Sequence, residues 1–204
     1  MSREIRRLGL VEYAPTWEAM KAFTDERTPG TPDQIWLLEH PPVYTLGLAG
    51  KPEHLLRQDL EIPVVRTDRG GQVTYHGPGQ LIVYPLINFK RMHIGVRELV
   101  RRLEQTVIDT LADWNIEANG DVDAPGVYVA GAKIASLGLR IKNGAMYHGL
   151  SLNVDMDLTP FNWINPCGYP NLRVTRLKDL GVALSVSQVA ESLLPHLERQ
   201  LSVD

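Results

Sequence analysis

The segment GVRELVRRLEQTVIDTLADW, residues 95–114, places Val96, Leu99, Val100, Leu103, Val107, Ile108 and Leu111 on one helical face, with Arg97, Arg101, Arg102 and Glu104 elsewhere. A helix with one apolar face must bury it against another layer, and the neighbouring segments supply strands for it to cross. DQIWLLEH (33–40) and EIPVVRT (61–67) are short, apolar and bounded by turn formers. A second helix is expected in APTWEAMKAFTDER (14–27), opening at Thr16 as N-cap and turning Trp17, Met20 and Phe23 inward. A third, from Ser185, carries Val189, Leu193, Leu194, Leu197 and Leu201, and Pro195 is expected to break or kink it. Helices and strands interleave without a repeat, a low-complexity tract or a dividing linker, so one domain over residues 1–204 is expected.

Bulk composition narrows the function classes. A hydrophobic fraction of 44% and a charged fraction of 22% suit a soluble globular chain. The net charge of -3 gives no global electrostatic reason to bind nucleic acid or an anionic membrane. One cysteine cannot form an internal disulfide, and the six histidines show no metal-ligand spacing, so no metal is expected and a reducing compartment fits. The start, MSREIRRLGLVEY, lacks the apolar run of about 7–15 residues that a secretory signal needs. No stretch of about 18 apolar residues exists to span a bilayer. A cytoplasmic protein is expected.

Three stretches are not explained by packing alone. In RGGQVTYHGPGQLIVYPL (69–86) the glycines at 70, 71, 77 and 79 either supply turn conformations or let a ligand approach the backbone. Their spacing matches neither a phosphate loop nor a dinucleotide fingerprint. His76, with Arg69 and Tyr84, is either structural or part of a pocket. GVYVAGAKIASLGLRI (126–141) reads as a hairpin turning at Gly131, and its second strand sets Lys133 on a face with Ala135, Leu137, Leu139 and Ile141. Such a lysine either rests its stem on the core with the ammonium in water, or is a desolvated amine suited to proton transfer. The third stretch runs from YHGLSLNVDMDL (147–158) to INPCGYP (164–170). Cys167 lies outside any apolar periodic run, and between Pro166 and Gly168 it is either a small buried hydrophobe or an uncrowded nucleophile.

RGGQVTYHGPGQLIVYP, GAKIASLG, HGLSLNV and INPCGY, in this order and spacing, resemble the lipoyl(octanoyl) transferase family of lipoate biosynthesis; DQIWLLEHPPVYTLG and the segment 95–118 extend the likeness over nearly the whole chain. The resemblance implies an α+β fold of the biotin/lipoate protein ligase type, with a mixed central sheet flanked by helices. It implies an acyltransferase that works without a cofactor. The implied partners are octanoyl-acyl carrier protein as donor and, as acceptors, lipoyl domains of 2-oxo acid dehydrogenase complexes and the glycine cleavage H protein. A monomer is expected. By the same resemblance Cys167 is the acyl-accepting nucleophile and Lys133 the residue that promotes its ionisation. The implied substrate contacts fall on Arg69, Gly70, Gly71, Gln72, Val73, Thr74, Tyr75 and His76, on Ser136, Leu137 and Gly138, and on Gly149, Leu150 and Ser151. The segment PNLRVTRL after the cysteine motif carries nothing over.

The implied chemistry suits these residue types. A thioester donor releases a good leaving group, so the first half-reaction needs a thiolate more than a strong acid, and a nearby ammonium enlarges the thiolate fraction. The second needs a base for the incoming lysine amine. Close backbone at Gly70, Gly71, Gly77 and Gly138 would suit an acyl tunnel, and burying six methylenes at about 0.8 kcal/mol each gives roughly 5 kcal/mol. Two rivals make different predictions. An ATP-dependent lipoate or biotin ligase needs no cysteine nucleophile, and a catalytically silent adaptor forms no covalent adduct.

Overall fold

The computed structural model describes residues 3–57, 61–121, 124–166 and 172–202. In chain order its first half contains β1 (Glu4–Leu10), α1 (Tyr13–Asp25), β2 (Gln34–Glu39), β3 (Val43–Leu46), β4 (Val64–Arg66), β5 (Val73–His76) and β6 (Gln80–Asn88). Then follow α2 (Val96–Ala112), β7 (Asn119–Gly120), β8 (Gly126–Val129), β9 (Ala132–Lys142), β10 (Ala145–Asn153) and α3 (Val186–Gln200). A seven-stranded sheet has the order β1-β2-β6-β10-β9-β8-β7, and β4-β3-β5 form a smaller sheet. Among the described strands of the large sheet, β1 and β2 pair in parallel and the other neighbours antiparallel.

The continuous apolar runs of β2 and β6 are explained by burial on both faces. Ile35, Leu37, Leu81 and Val83 point to the layer of α2 and α3, where Leu99, Leu103, Val107, Leu193 and Leu197 complete the main core. Trp36, Leu38, Ile82 and Tyr84 point the opposite way, to Met20 of α1, with Trp17 and Phe23 packed alongside. The smaller sheet has its own cluster, in which Tyr44, Leu46, Val73 and Tyr75 meet Met156, Phe161 and Ile164.

Several local expectations are corrected. Helix α1 opens at Glu12 rather than Thr16; Thr16 lies within it and its hydroxyl donates to Glu12 O at 2.7 Å. The extra turn is favoured because it buries Tyr13. Strands β5 and β6 flank a turn at Gly79 (φ +84°) but join different sheets, β5 pairing with β3 and β6 with β2 and β10. Helix α3 runs through Pro195 without interruption, opened by a capping box between Ser185 and Gln188. Pro195 is on the exposed face, so the Glu191 carbonyl that loses its donor faces water, while Val189, Leu193, Leu194 and Leu197 hold both halves of the helix to the core. The substitution Pro195→Ala restores that donor and is expected to stabilise the fold by about 2 kcal/mol, net of the added freedom of the unfolded chain. A urea unfolding midpoint that stays put or falls would show that the ring packs to advantage where it is.

Candidate active site

Strands β9 and β10 pair so that Ser136 faces Ser151, Leu137 faces Leu150, Gly138 faces Gly149 and Leu139 faces His148. A cleft follows this ladder. It is lined by Ser136, Leu137 and Gly138 on one strand, His148 to Ser151 on the other, Ile82 and Tyr84 of β6, Tyr13 of α1, and Arg69, Gly71, Gln72, Val73, Thr74 and His76. Its enclosed space is about 50 Å³, and the wider hollow that opens to solvent measures about 490 Å³. From His148 to Ser151 the lining advances three residues along β10, about 10 Å.

Close approach of backbones shapes this cleft. A Cβ at Gly149 would lie 2.1 Å from Val83 O and 2.7 Å from Pro85 Cδ, so only glycine lets β10 pass β6 there. The β10–β6 ladder is interrupted between the Met146–Ile87 and Leu150–Val83 pairs, where Pro85 has no N–H to offer, and His148 adopts φ +59°. This left-handed conformation breaks the strand alternation, so consecutive Tyr147 and His148 both reach Asp68. The Tyr147 hydroxyl, His148 Nε2 (3.1 Å) and Trp17 Nε1 (2.8 Å) all donate to that carboxylate. Partial burial works to raise the Asp68 carboxyl, but these three donors outweigh it and hold it well below the usual carboxylate range.

Next to it Arg69, 7% exposed, braces the loop. Its guanidinium donates to Thr45 O (2.6 Å), Gln72 O (2.8 Å), Gly70 O (2.9 Å) and Thr45 Oγ1 (2.7 Å). Gly70 N donates in turn to Leu139 O at 2.8 Å, tying the loop to β9. Arginine suits this position because several fixed donors meet several carbonyls at once.

The tautomers of the three buried histidines follow from their partners. His40 Nδ1 donates to Val11 O (2.6 Å), so its Nε2 accepts from the Tyr84 hydroxyl (2.9 Å). For His76 the chain of reasoning starts at Thr175 O, which can only accept. Asn153 Nδ2 donates to it, Gln80 Nε2 donates to Asn153 Oδ1, and Gln80 Oε1 therefore accepts from His76 Nδ1 at 2.8 Å. The lone pair of His76 is then on Nε2. Burial, with His40 nearby, pushes His76 down to about 3, and burial pushes His40 down to about 4 and lowers His148. All three are neutral at neutral pH.

Lys133 lies three residues along β9 from Ser136, outside the ring of lining residues. It is 2% exposed, which excludes the arrangement with the ammonium in water. Its Nζ donates to Pro125 O at 3.1 Å and sits 5.1 Å from the centroid of the Tyr128 ring. Its backbone is held by the chain beyond the cysteine motif: Lys133 N donates to Arg173 O at 2.8 Å, and Thr175 N donates to Lys133 O at 3.0 Å. Cys167 lies outside the described residues.

Of the residues singled out in the sequence, the cleft brings together Arg69, Gly71, Gln72, Val73, Thr74, His76, Ser136, Leu137, Gly138, Gly149, Leu150 and Ser151. Gly70, Tyr75 and Gly77 are not among its lining residues; Tyr75 belongs to the core of the smaller sheet, and Gly77 packs against its ring. Sequence reading passed over Tyr13, Ile82, His148 and the Asp68 hub. The only signal for them was YHG of one strand set against VYP of another, meaningful once the strands pair. Among the described residues no group of three or more His, Cys, Asp or Glu could hold a metal ion, and no helix is long and apolar enough to cross a membrane.

The family profile described as the lipoyl protein ligase A/B catalytic domain matches residues 12–198. The chain is 72% identical to an octanoyltransferase of Chromobacterium violaceum over 99% of its own length and 97% of the relative's. Among solved structures it resembles lipoate-protein ligase A bound with ATP, with a TM-score of 0.82 at 17% identity over 98% of this chain and 86% of that one. It also resembles the biotin protein ligase of Aquifex aeolicus, with a TM-score of 0.60 at 16% identity over 98% and 69% of the two chains. These last two are likenesses of fold, and they agree with the mixed sheet and flanking helices described above. By the extent of the profile match and the identity to its octanoyltransferase relative, the chain belongs to the lipoyl(octanoyl) transferase family, acyltransferases built on the lipoyl protein ligase A/B catalytic domain.

Proposed function

We propose that residues 1–204 act as one cytoplasmic, monomeric catalytic unit that takes an octanoyl group from octanoyl-acyl carrier protein onto Cys167 as a thioester. It then passes the group to a lysine of a lipoyl domain, in 2-oxo acid dehydrogenase complexes or the glycine cleavage H protein. The observation that carries this reading is the joint placement along β9 of a cleft and, three residues beyond it, a desolvated lysine. Cys167 lies seven residues before Val174, which bridges Lys133.

In the first half-reaction the Cys167 sulfur attacks the thioester carbonyl. A bond from that sulfur to the acyl carbon forms, the bond from the acyl carbon to the carrier's sulfur breaks, and the thiol proton passes by way of Lys133 to the departing carrier thiolate. In the second, the neutral lysine amine of the lipoyl domain attacks the acyl carbon. Lys133 takes its proton and passes it to the Cys167 sulfur as the bond from that sulfur to the acyl carbon breaks, leaving an amide, a free thiol and neutral Lys133. Ile82 and the uncrowded backbone at Gly138 and Gly149 give the chain a seat, and Asp68 and Arg69 keep the walls of the cleft in place.

Incubation with octanoyl-acyl carrier protein is expected to raise the intact mass by one octanoyl group, released by hydroxylamine and absent in Cys167→Ala. Full turnover by that variant would sink the covalent route, and no adduct on the wild type would favour a silent adaptor. Transfer is expected to proceed with apyrase or EDTA present, because the thioester donor is already activated. Activity that disappears under those conditions and returns with Mg-ATP would instead mark a ligase. Lys133→Arg keeps a cation but cannot deprotonate at working pH, so the isolated acyl-enzyme is expected to transfer about a hundredfold or more slowly. Near-normal single-turnover transfer would reduce Lys133 to an electrostatic role.

A further inference from the structure

One peptide unit stands between helix α2 and Lys133. The N–H of Gly126 donates to Glu104 Oε1 at 2.9 Å, and the carbonyl of the same peptide, Pro125 O, accepts from Lys133 Nζ at 3.1 Å. A trans peptide is planar, with its N–H and C=O pointing in opposite directions, so fixing one end fixes the other. Its dipole is aligned between a carboxylate and an ammonium, and each charge strengthens the hydrogen bond at the far side. The surroundings leave this peptide little freedom. Gly126 has φ +153°, and a Cβ there would lie 2.7 Å from Ala135 O and 2.8 Å from Lys133 Cε, so only glycine lets the lysine stem pass. The Tyr128 hydroxyl donates to the preceding carbonyl, Ala124 O, at 2.7 Å, while its ring faces the ammonium.

We propose that Glu104 is a positioning residue for Lys133, acting through the Pro125–Gly126 peptide to aim and charge-balance the amine that serves the transfer reaction. This rests on Lys133 being the base of the proposed function. Glu104 is half-buried, and burial pushes its carboxyl up while the Gly126 N–H and the Lys133 charge pull it back. Among the described residues Asp121 also acts on Glu104, and Arg173, whose carbonyl accepts from Lys133 N, directs its guanidinium to Ala130 O. In sequence terms Glu104 is a polar residue in an amphipathic helix, twenty-nine positions from Lys133, and reads as solvated surface.

The test is single-turnover transfer from the isolated octanoyl-Cys167 enzyme to a lipoyl domain. It is run across pH on wild type, Glu104→Ala, Glu104→Gln, Lys133→Arg and the double variant Glu104→Ala with Lys133→Arg. Glu104→Ala is expected to slow transfer by roughly tenfold to a hundredfold, the scale of a misplaced catalytic group, with KM for the lipoyl domain little changed. Glu104→Gln still accepts from Gly126 and is expected to recover most of that rate. Having lost the charge that favours the ammonium, it should show the rise of transfer with pH at lower pH than wild type. If Glu104 acts through Lys133, its removal costs nothing further in the Lys133→Arg background. Equal losses in both backgrounds, or wild-type rate and pH profile in both Glu104 variants, would overturn the assignment while leaving Lys133 as base. Normal transfer by Lys133→Arg would overturn the base itself and the assignment with it. Where Glu104→Ala does not fold, an unshifted profile in Glu104→Gln decides against the proposal.

Discussion

Everything in this molecule is referred to the antiparallel run of β6, β10 and β9, whose backbones are enclosed on both sides. On one face α2 and α3 seal the main core; on the other, α1 and the loop from Thr67 to Gln72 close over the ladder and leave the cleft. Because both faces are covered, a one-residue slip of β10 would exchange its two sets of inward residues and empty both layers at once. The cleft inherits that fixed register. Its paired positions, Ser136 with Ser151 and Gly138 with Gly149, are held by ladder geometry and not by the choice of loop conformation.

Two charged groups, a half-buried carboxylate and a buried guanidinium, do different work there. Asp68 gathers donors from α1 and β10, so a carboxylate that stays ionised joins the helix to the sheet. Arg69 reaches the opposite way, donating to the carbonyls of Thr45, Gly70 and Gln72 and so joining the loop to β3. The left-handed backbone at His148 is a cost of about 1–3 kcal/mol that these contacts sustain. Substituting either group would loosen the cleft wall before it touched any reacting atom.

How far the site was legible depends on the range of the interaction involved. Lys133 stood out because a lysine on an apolar strand face conflicts with its neighbours, a conflict visible within eight residues. The glycines at 71, 138 and 149 were visible as departures from strand composition, but the sequence did not separate them from Gly70 and Gly77, which are not among the lining residues. His148 was hidden for a different reason. Strand alternation assigns it to the face opposite Tyr147, and only where the β10–β6 ladder is interrupted, between the Met146–Ile87 and Leu150–Val83 pairs, does its backbone turn left-handed. Thr16 and Pro195 mislead for the opposite reason: local propensity named a helix start and a helix break, and burial of Tyr13 and the leucines of α3 overrode both.

The sequence by itself determined the helices and strands with strong periodicity and the residue types the chemistry needs, since each depends on neighbours a few positions apart. Tertiary structure alone decided the rest. It set β5 and β6 in separate sheets, drew Trp17, Tyr147 and His148 onto Asp68, fixed the tautomer of His76 through Gln80, Asn153 and Thr175, and placed the Pro125–Gly126 peptide between Glu104 and Lys133. Hydrogen bonds are directional and act over about 3 Å, so which groups meet is settled only when the packed layers bring distant segments together.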